Sequence, residues 1–409
     1  MTGDINTEVA IVGGGFTGLS TALHLAQQGI RAHVLEAQTI GYGGSGRNVG
    51  LVNAGLWLPP RDITARLGES RGAELTRRLA EAPEYVFSLI DKHRIQCEAM
   101  RRGTIHAAHS PKGYQELQRR AEQWNRLGAP VELLDREAAA EKTGTSAFYG
   151  GLLDHRAGVI NPMGYVRGLG RAAMAAGAVV NTGIAAGKLR REAGRWHLET
   201  ASGSVAADSV VLATNAYTGD LWPELKRCFT MIHYFQVATE PLGERAARVL
   251  PGGHGLWTTG AIMLSLRRDR FGRIIIGSMG RVIGGARGGS GDISAKWAKR
   301  NLRHLFPDLG EVELETAWHG QIAMTPDHLP RIYRLAEDLY TPIGYNGRGI
   351  GPGTVFGMAM AGFLAGGDES QLPLPVTALK TAPGARIKSR LYDAAFTANQ
   401  MVKNTVAGR

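Results

Sequence analysis

The sequence is poor in cysteine, with only Cys97 and Cys228 among 409 residues. Two cysteines argue against a disulfide scaffold and against any cysteine-based metal cluster. Long apolar runs are also lacking, because none approaches the roughly 20 residues that a membrane span needs. The first six residues contain no Lys or Arg, and the apolar stretch VAIVGGGF is too short and too glycine-rich for a signal peptide. These absences predict a cytoplasmic protein without a transmembrane segment.

Acidic residues are fewer than basic ones, 36 Asp and Glu against 47 Lys and Arg, which gives a formal charge of +11. Such an excess raises the question of nucleic acid or an anionic surface as a partner. Pairs such as Arg77-Arg78 and Arg119-Arg120 lie in amphipathic patterns, where they are typical of the solvated face of a helix. No array of aromatic and basic residues accompanies them, so we expect no nucleic-acid partner.

Glycine, by contrast, is abundant: it makes up 56 of 409 residues, nearly twice the average share of about 7%. The excess is concentrated in a few loops, and the first of these follows a predicted strand at residues 8–12. It reads Gly13-x-Gly15-x-x-Gly18 and runs into a helical pattern with apolar residues at positions 19, 22, 23 and 26. A second predicted strand follows at residues 30–35.

This order of strand, glycine loop, helix and strand is that of a dinucleotide site. Gly13 would make the tight turn, Gly15 would let the backbone approach a pyrophosphate, and Gly18 would let helix and strand pack closely. Glu36 ends the second strand and can accept a hydrogen bond from a ribose hydroxyl, which also speaks against the 2′-phosphate of NADP. The predicted binding residues in this segment are Gly13, Gly15, Phe16, Thr17, Gly18 and Glu36.

A second glycine-rich segment, GYGGSGRNVGLVNAG at residues 41–55, follows where a simple NAD domain would start another helix. Backbone so permissive suits a chain laid along an extended ligand, which favours FAD over NAD. Much later, residues 187–225 read as a hairpin with a turn near Ala193-Gly194 that continues into a buried strand at 209–213. The predicted cofactor-binding residues in and beside these segments are Ser45, Gly46, Arg47, Asn48, Val49, Ala185, Thr214 and Asn215.

Seven segments occur in an order that resembles the flavin-dependent amine and amino-acid oxidase family, which includes glycine oxidase, sarcosine oxidase and D-amino-acid dehydrogenase. They are GGGFTGLSTALHLA, GSGRNVG, VVLATNAYTGDL, FQVATEPL, LRRDRFGRIIIGS, WHGQIAMTPDHLP and IGYNGRGIGPGT. The SGRN, ATNAYTGDL and Trp318-x-Gly320 stretches are most similar to the gamma-glutamylputrescine oxidase branch.

The resemblance implies an α/β fold, in which a Rossmann-like FAD-binding domain carries an inserted α+β substrate domain built on a mostly antiparallel sheet. The tail after Pro383 is polar and basic, and we expect it to be an outer helix without a role in the chemistry. The expected FAD-binding domain comprises residues 1–65, 145–225 and 323–409, and the expected substrate-binding domain comprises residues 66–144 and 226–322.

The resemblance also implies a role for the late glycine loop at residues 341–354, TPIGYNGRGIGPGT. This loop would run beside the flavin ring and open a helix at residues 354–365, whose N-terminus faces the negative charge of reduced flavin. Arg348 would add a full positive charge there, unless it is a structural arginine. The predicted binding residues of the loop are Gly347, Arg348, Gly349 and Ile350.

In this family FAD accepts hydride at N5 from the carbon beside an amine, and water hydrolyses the resulting imine. The expected substrate is a secondary amine or N-substituted amino acid, such as iminodiacetate, sarcosine or a gamma-glutamylputrescine-like compound, with H2O2 as the expected product of reoxidation by O2. The amine must be unprotonated, so we expect an apolar or aromatic pocket, for which Tyr234, Phe235 and Trp318 are candidates.

The sequence departs from the family at the substrate carboxylate, which glycine and sarcosine oxidases hold with basic side chains. Ile322 stands where glycine oxidase uses arginine, and Gly351 stands where sarcosine oxidase uses lysine. A substrate carboxylate would then need Arg267, Arg348 or another cation, or would be absent. The segments that tether flavin in relatives contain no matching Cys or His here, so we expect non-covalent FAD.

Two other functions stay open. A D-amino-acid or imino-acid dehydrogenase would pass electrons to a membrane quinone, which the basic surface favours and the lack of an apolar amphipathic anchor disfavours. A flavoprotein acting on modified tRNA would account for the positive charge, although the sequence contains no recognisable RNA-binding module.

Overall fold

The computed structural model describes residues 3–284 and 292–402. Its strands are β1 (Ile5–Val12), β2 (Ala32–Glu36), β3 (Leu51–Val52), β4 (Thr104–Ala107), β5 (Val131–Leu134), β6 (Gly151–Asp154), β7 (Gly158–Val159), β8 (Val179–Thr182), β9 (Lys188–Glu192), β10 (Arg195–Thr200), β11 (Gly203–Leu212), β12 (Thr230–Thr239), β13 (Gly255–Thr258), β14 (Leu264–Arg268), β15 (Ile274–Met279), β16 (Leu314–Met324), β17 (Arg331–Ala336), β18 (Leu339–Ile343) and β19 (Val376–Ala378). Its α-helices are α1 (Phe16–Gln27), α2 (Gly44–Arg47), α3 (Pro60–Leu67), α4 (Glu69–Ala80), α5 (Ala82–Lys92), α6 (Pro111–Arg126), α7 (Arg136–Thr143), α8 (Pro162–Ala175), α9 (Ile293–Leu305), α10 (Ile350–Leu364) and α11 (Ala385–Val402).

The first sheet is parallel through its centre, in the order β18-β11-β1-β2-β8. Its central strands are apolar and fully buried, as Ala10, Ile11, Val34 and Val211 show. Runs of this kind are typical of a parallel sheet that is covered on both faces. β17 and β19 extend the sheet beyond β18, and the hairpin β9-β10 pairs with β11. The predicted α/β, Rossmann-like fold is confirmed.

The second sheet has the order β16-β12-β15-β14-β13-β4-β6-β5, and its pairs are antiparallel except for β13 with β4. The ring of Phe235 on β12 meets the ring of Trp297 on α9 edge to face, with 4.9 Å between their centroids. Both side chains are fully buried. Phe235 therefore belongs to the core between this sheet and α9.

The two sheets draw on alternating stretches of the chain. β6 lies in the second sheet, although the expected boundary grouped residues 145–225 with the FAD-binding part. The division of the chain into two domains at the expected boundaries stays a prediction. In the described part of the chain, no helix has both the length and the apolar character that a membrane crossing requires.

Two glycines in α10 let this helix pack very closely on α1. A Cβ atom at Gly357 would lie 2.6 Å from the Cβ of Ser20, and one at Gly353 would lie 3.1 Å from the Oγ1 of Thr17. Ser20 also donates a hydrogen bond of 2.7 Å to the carbonyl of Thr354. The helix expected from residue 354 begins one turn earlier, because Pro352 is tolerated in a first turn. Close packing places the N-termini of both helices at one cavity.

Candidate functional site

A cavity of about 460 Å³ lies where β1, β2 and β11 end and where α1 and α10 begin. The carboxyl ends of parallel strands are the usual binding edge of such a sheet. The predicted cofactor residues that line the cavity are Gly13, Gly15, Phe16, Thr17, Glu36, Ser45, Asn48, Val49, Ala185, Thr214, Asn215, Gly347, Arg348, Gly349 and Ile350. Gly18, Gly46 and Arg47 do not line it.

The three glycine positions of the first loop cannot accept a side chain, because neighbouring atoms lie too close or the backbone has a positive φ. A Cβ atom at Gly18 would lie 2.0 Å from the carbonyl oxygen of Gly13, and one at Gly15 would lie 2.8 Å from the Oγ of Ser45. Gly13 has a φ of +113°, which other residues rarely adopt. The backbone N–H of Phe16 donates to the Oγ of Ser45 at 3.0 Å. The two glycine-rich segments therefore meet at the start of α1.

Glu36 is fixed at the end of β2 by two backbone donors. Its Oε2 accepts from the N–H of Gly14 at 2.7 Å, and its Oε1 accepts from the N–H of Gln38 at 2.8 Å. Each carboxylate oxygen has a further lone pair available. The carboxylate is therefore held at the cavity in an orientation that can accept a ribose hydroxyl.

The second glycine segment is shaped by Asn48. Its Nδ2 donates to the carbonyls of Gly44 and Ser45, and its Oδ1 accepts from the N–H of Gly50. A Cβ atom at Gly46 would lie 2.3 Å from the Cε of Met163. These contacts give the segment one defined path along the cavity.

Arg47 turns away from the cavity, towards the second sheet. Its Nη1 donates to the carbonyl of His319 at 3.1 Å, and its guanidinium carbon lies 4.3 Å from the centre of the Tyr42 ring. Its own carbonyl accepts from the Nε1 of Trp318 at 2.8 Å. These contacts join the second glycine segment to the second sheet.

The start of α10 offers the cavity unpaired backbone donors. Gly349 is the N-cap residue, and no side chain among the described residues caps the helix there. Residues 347–352 line the cavity, so the positive end of the helix dipole faces into it. Asn346 fixes the preceding turn, because its Oδ1 accepts from the N–H of Thr325 at 2.8 Å. A helix start arranged in this way can stabilise negative charge.

Arg348 is buried beside this helix start, with 8% of its surface exposed. Its Nη1 donates to the carbonyl of Ala54 at 2.9 Å, and its guanidinium carbon lies 5.1 Å and 4.7 Å from the ring centres of Trp57 and Trp257. Burial, reinforced by the positive charges of Arg120 and Arg156, lowers the pKa of Arg348 to about 9. The side chain is therefore charged at neutral pH.

Three buried polar atoms around this cavity have no hydrogen-bond partner within the described structure. They are the Nε of Arg348, the Nε1 of Trp57 and the Oε1 of Gln236, and all three residues line the cavity. Buried polar groups are normally paired. Two orphan donors and one orphan acceptor therefore indicate a polar ligand in this part of the cavity.

Tyr234 and Gln236 project from β12 into the cavity. The hydroxyl of Tyr234 donates to the carbonyl of Gly44 at 3.4 Å, and burial raises the pKa of Tyr234 well above its usual value. The hydroxyl is therefore protonated at neutral pH. The Nε2 of Gln236 donates to the Oγ of Ser265 at 3.4 Å, which leaves its Oε1 free for a ligand.

Arg267 and Trp318 do not line the cavity. The Nε of Arg267 donates to the carbonyl of Val49 at 2.5 Å, as the Nε1 of Trp318 does to the carbonyl of Arg47. Both side chains thus join the second sheet to the second glycine segment. Direct contact of either residue with substrate stays a prediction, and the observed contacts are those of positioning residues.

A model of the family described as DAO, FAD dependent oxidoreductase, matches residues 8–362. The chain belongs to this family. It is 33% identical to gamma-glutamylputrescine oxidoreductase of Escherichia coli strain K12, over 89% of this chain and 85% of that protein. It is 32% identical to the probable oxidoreductase OrdL of Rhizobium meliloti strain 1021, over 86% of this chain and 81% of that protein.

A solved structure supports the fold of this FAD-dependent oxidoreductase. The crystal structure of glycine oxidase from Geobacillus kaustophilus superposes with a TM-score of 0.71 and 21% identity, covering 93% of this chain and 98% of that one. The cofactor of the chain is FAD. The observed site fits it, because a glycine cradle, a ribose-accepting carboxylate and two helix N-termini lie along one cavity.

Sequence reasoning missed Trp57, Trp257, Gln236 and Tyr217, which also line the FAD cavity. Trp57 lies two residues after the second glycine segment, and this nearness was a usable signal. Tyr217 lies within ATNAYTGDL, and its hydroxyl accepts from the N–H of Gln321 at 3.0 Å. Trp257 stands on β13, where no local motif marks it, and Gln236 stands on β12 within FQVATEPL, one of the segments that resemble the family.

Proposed function

We propose that this FAD-dependent oxidoreductase oxidises the C–N bond of a secondary amine or N-substituted amino acid that carries an anionic group. Iminodiacetate, sarcosine and gamma-glutamylputrescine are model compounds for this class. The observation that carries the proposal concerns Arg348, which is buried against two indole rings. Among the described residues that line the cavity, it is the one with a cationic side chain. Similarity to gamma-glutamylputrescine oxidoreductase supports amine chemistry.

The cavity that Arg348 lines is rich in aromatic side chains. Trp57, Tyr234 and Trp257 line it, and Gln236 offers an acceptor that can take an amine N–H without a negative charge. A carboxylate near the amine would favour its protonated form. An uncharged acceptor instead leaves the nitrogen lone pair available, as oxidation of the adjacent carbon requires.

FAD supplies the hydride acceptor of this reaction when it is bound. The chain's own part would be electrostatic and positional. The N-terminus of α10 would favour negative charge on the bound cofactor, and the first loop would hold the dinucleotide. Arg348 can serve either the flavin or a carboxylate of the substrate. Its orphan Nε and the Nε1 of Trp57 are two donors of the kind that an anion accepts from.

Anaerobic mixing of the flavoenzyme with a panel of amines tests the proposal. We expect an amine that carries a carboxylate to bleach the bound flavin, and readmitted air to restore the colour with release of H2O2. Bleaching without reoxidation by air, but with reoxidation by a soluble quinone, would identify a dehydrogenase. If no amine of the panel bleaches the flavin while dithionite does, amine oxidation is wrong for this chain.

The cytoplasm stays the expected compartment.

A further inference from the structure

The exposed side of α11 is apolar along the whole helix. Ile387, Leu391, Met401 and Val402 are 67%, 65%, 54% and 76% exposed, and Ala394, Ala395 and Ala398 are exposed between them. At about 3.6 residues per turn, these seven side chains share one sector of about 120°. We call this set the apolar sector of α11. An exposed sector of this length is unusual on a soluble surface.

The opposite side of α11 is held firmly by the second sheet and α9. The N–H of Met231 donates to the Oγ of Ser389 at 3.0 Å, and the Nδ1 of His233 lies 2.9 Å from the Oδ1 of Asp393. The Oγ of Ser294 donates to the Oε1 of Gln400 at 2.9 Å. These contacts fix the rotation of the helix, so the apolar sector must face outward.

Cations flank the apolar sector on both edges in the first turns of α11. Lys388 follows one edge and Arg390 the other, with Arg386 one turn before Arg390, and all three are exposed. The one acidic residue of the helix, Asp393, turns inward to His233 and to Arg281. The outer half of α11 therefore combines an apolar stripe with positive charge and contains no carboxylate.

We propose that α11 docks the protein on an anionic lipid surface, with the apolar sector entering the interface between headgroups and acyl chains. Amphipathic helices with cations beside an apolar face lie in this way at membrane surfaces. Lys and Arg stems can extend sideways so that their charges reach the phosphates. The proposal does not depend on the substrate or on the electron acceptor.

A second copy of the chain fits this face less well. Paired helices usually carry complementary charges along the edges of their apolar seam. Here both edges carry cations, and Asp393 is engaged within its own protein. Anionic lipid neutralises the cations, whereas another α11 would offer more of them.

The apolar sector of α11 is not evident from the sequence alone. An outer helix was expected for the tail, and α11 is such a helix. The polar and basic composition of the tail indicates no apolar anchor by itself, whereas the apolar sector supports the proposed docking. Its residues mostly stand three or four positions apart, so they do not form an apolar run in the sequence. Their common orientation appears only once the buried side of the helix is known.

Co-sedimentation of the complete FAD-loaded protein with vesicles tests the proposal. We expect binding to vesicles of phosphatidylcholine with phosphatidylglycerol, weak binding to phosphatidylcholine alone, and weaker binding at high salt. The triple variant Arg386→Gln, Lys388→Gln, Arg390→Gln should lower the partition coefficient about a hundred-fold, since each basic residue near such a surface contributes about five-fold. Leu391→Ser should lower it about ten-fold.

Matched variants elsewhere on the surface are the controls. Lys112→Gln, Arg119→Gln, Arg126→Gln removes the same charge from exposed positions of α6, and Leu127→Ser removes a leucine that is 58% exposed. Both should bind vesicles as the unmodified protein does. Retained flavin absorbance in every variant shows that the fold is intact.

Two results would overturn the proposal. Equal losses in the α11 and α6 charge variants would show a general effect of net charge. Failure to bind vesicles, together with a dimer that Leu391→Ser dissociates, would assign the apolar sector to a second copy of the chain.

Discussion

The guanidinium carbon of Arg348 lies 4.7 Å from the centre of the Trp257 ring. Trp57 completes the arrangement, because its ring meets that of Trp257 edge to face with 5.0 Å between centroids. A desolvated cation over an indole is held by the ring quadrupole. This contact joins the late glycine loop to the second sheet, and it fixes the cation of the cavity before any ligand arrives.

Replacement of Arg348 should slow reduction of the flavin. Arg348→Ala removes a charge-assisted contact from a desolvated site, which is worth roughly 2 to 4 kcal/mol, or about thirty- to thousand-fold in rate. Loss of a flavin contact would lower the reduction potential and slow all substrates alike. Loss of a carboxylate contact would instead raise the dissociation constant of acidic amines only. Stopped-flow reduction by an acidic and a neutral amine separates the two.

Arg348→Lys refines this assignment. A lysine supplies a point charge, so it should rescue a flavin role better than a bidentate carboxylate role. Unchanged rates and potential in Arg348→Ala would show that the arginine is structural.

Arg267 provides the comparison, since it is a buried arginine that does not line the cavity. Arg267→Ala removes the hydrogen bond to the carbonyl of Val49, so the second glycine segment should loosen. We expect a lower melting temperature and weaker FAD retention, of the order of 1 to 3 kcal/mol. The ratio of kcat/KM values for acidic and neutral amines should not change. A selective loss of the acidic substrate would place Arg267 at the substrate after all.

The pH dependence of the reaction should report Arg348. Burial disfavours its charged form, so its pKa is lowered to about 9, with Arg120 and Arg156 acting in the same direction and Asp154 against it. The cation is present below that pKa and is lost as the pH rises through it. The kcat/KM of an acidic amine should therefore fall above about pH 9. If Arg348 binds the substrate carboxylate, a neutral amine should show no such fall, whereas a parallel fall for both amines would assign Arg348 to the flavin. The absence of a fall for either amine would contradict the prediction.

The sequence predicts the parts of the site that depend on residues close together in the chain, and it does not predict those that depend on contacts between distant residues. Gly13, Gly15 and Gly18 belong to one short loop, so their spacing in the sequence is sufficient to predict it. The aromatic contact beside Arg348 depends instead on the position of β13. This strand brings Trp257 against Trp57, two hundred residues away along the chain. The position of Arg267 depends on a contact of the same long-range kind, because its Nε donates to the carbonyl of Val49, 218 residues away along the chain. Long-range pairing of this kind has no local pattern.

Glu36→Ala should weaken FAD retention without a change in substrate preference. The carboxylate is fixed by the N–H groups of Gly14 and Gln38, at the dinucleotide end of the cavity and on a different sheet from Tyr234 and Gln236. Glu8→Ala is the control, because that carboxylate pairs with Arg31 on the exposed surface of the same sheet. Flavin content after gel filtration measures the effect. Full flavin occupancy in Glu36→Ala would remove the ribose assignment.

Acid precipitation should release the flavin into the supernatant. Cys97 and Cys228 are buried, and burial raises the pKa of each thiol to about 12, which keeps both from acting as thiolate nucleophiles. The Sγ of Cys228 also donates to the carbonyl of Leu225 at 2.9 Å. Among the described residues that line the cavity, none is a cysteine or a histidine. A covalent bond to FAD therefore has no side chain of the usual kind within reach. Yellow colour retained in the washed pellet would contradict this prediction, and a peptide digest would then identify the attached residue.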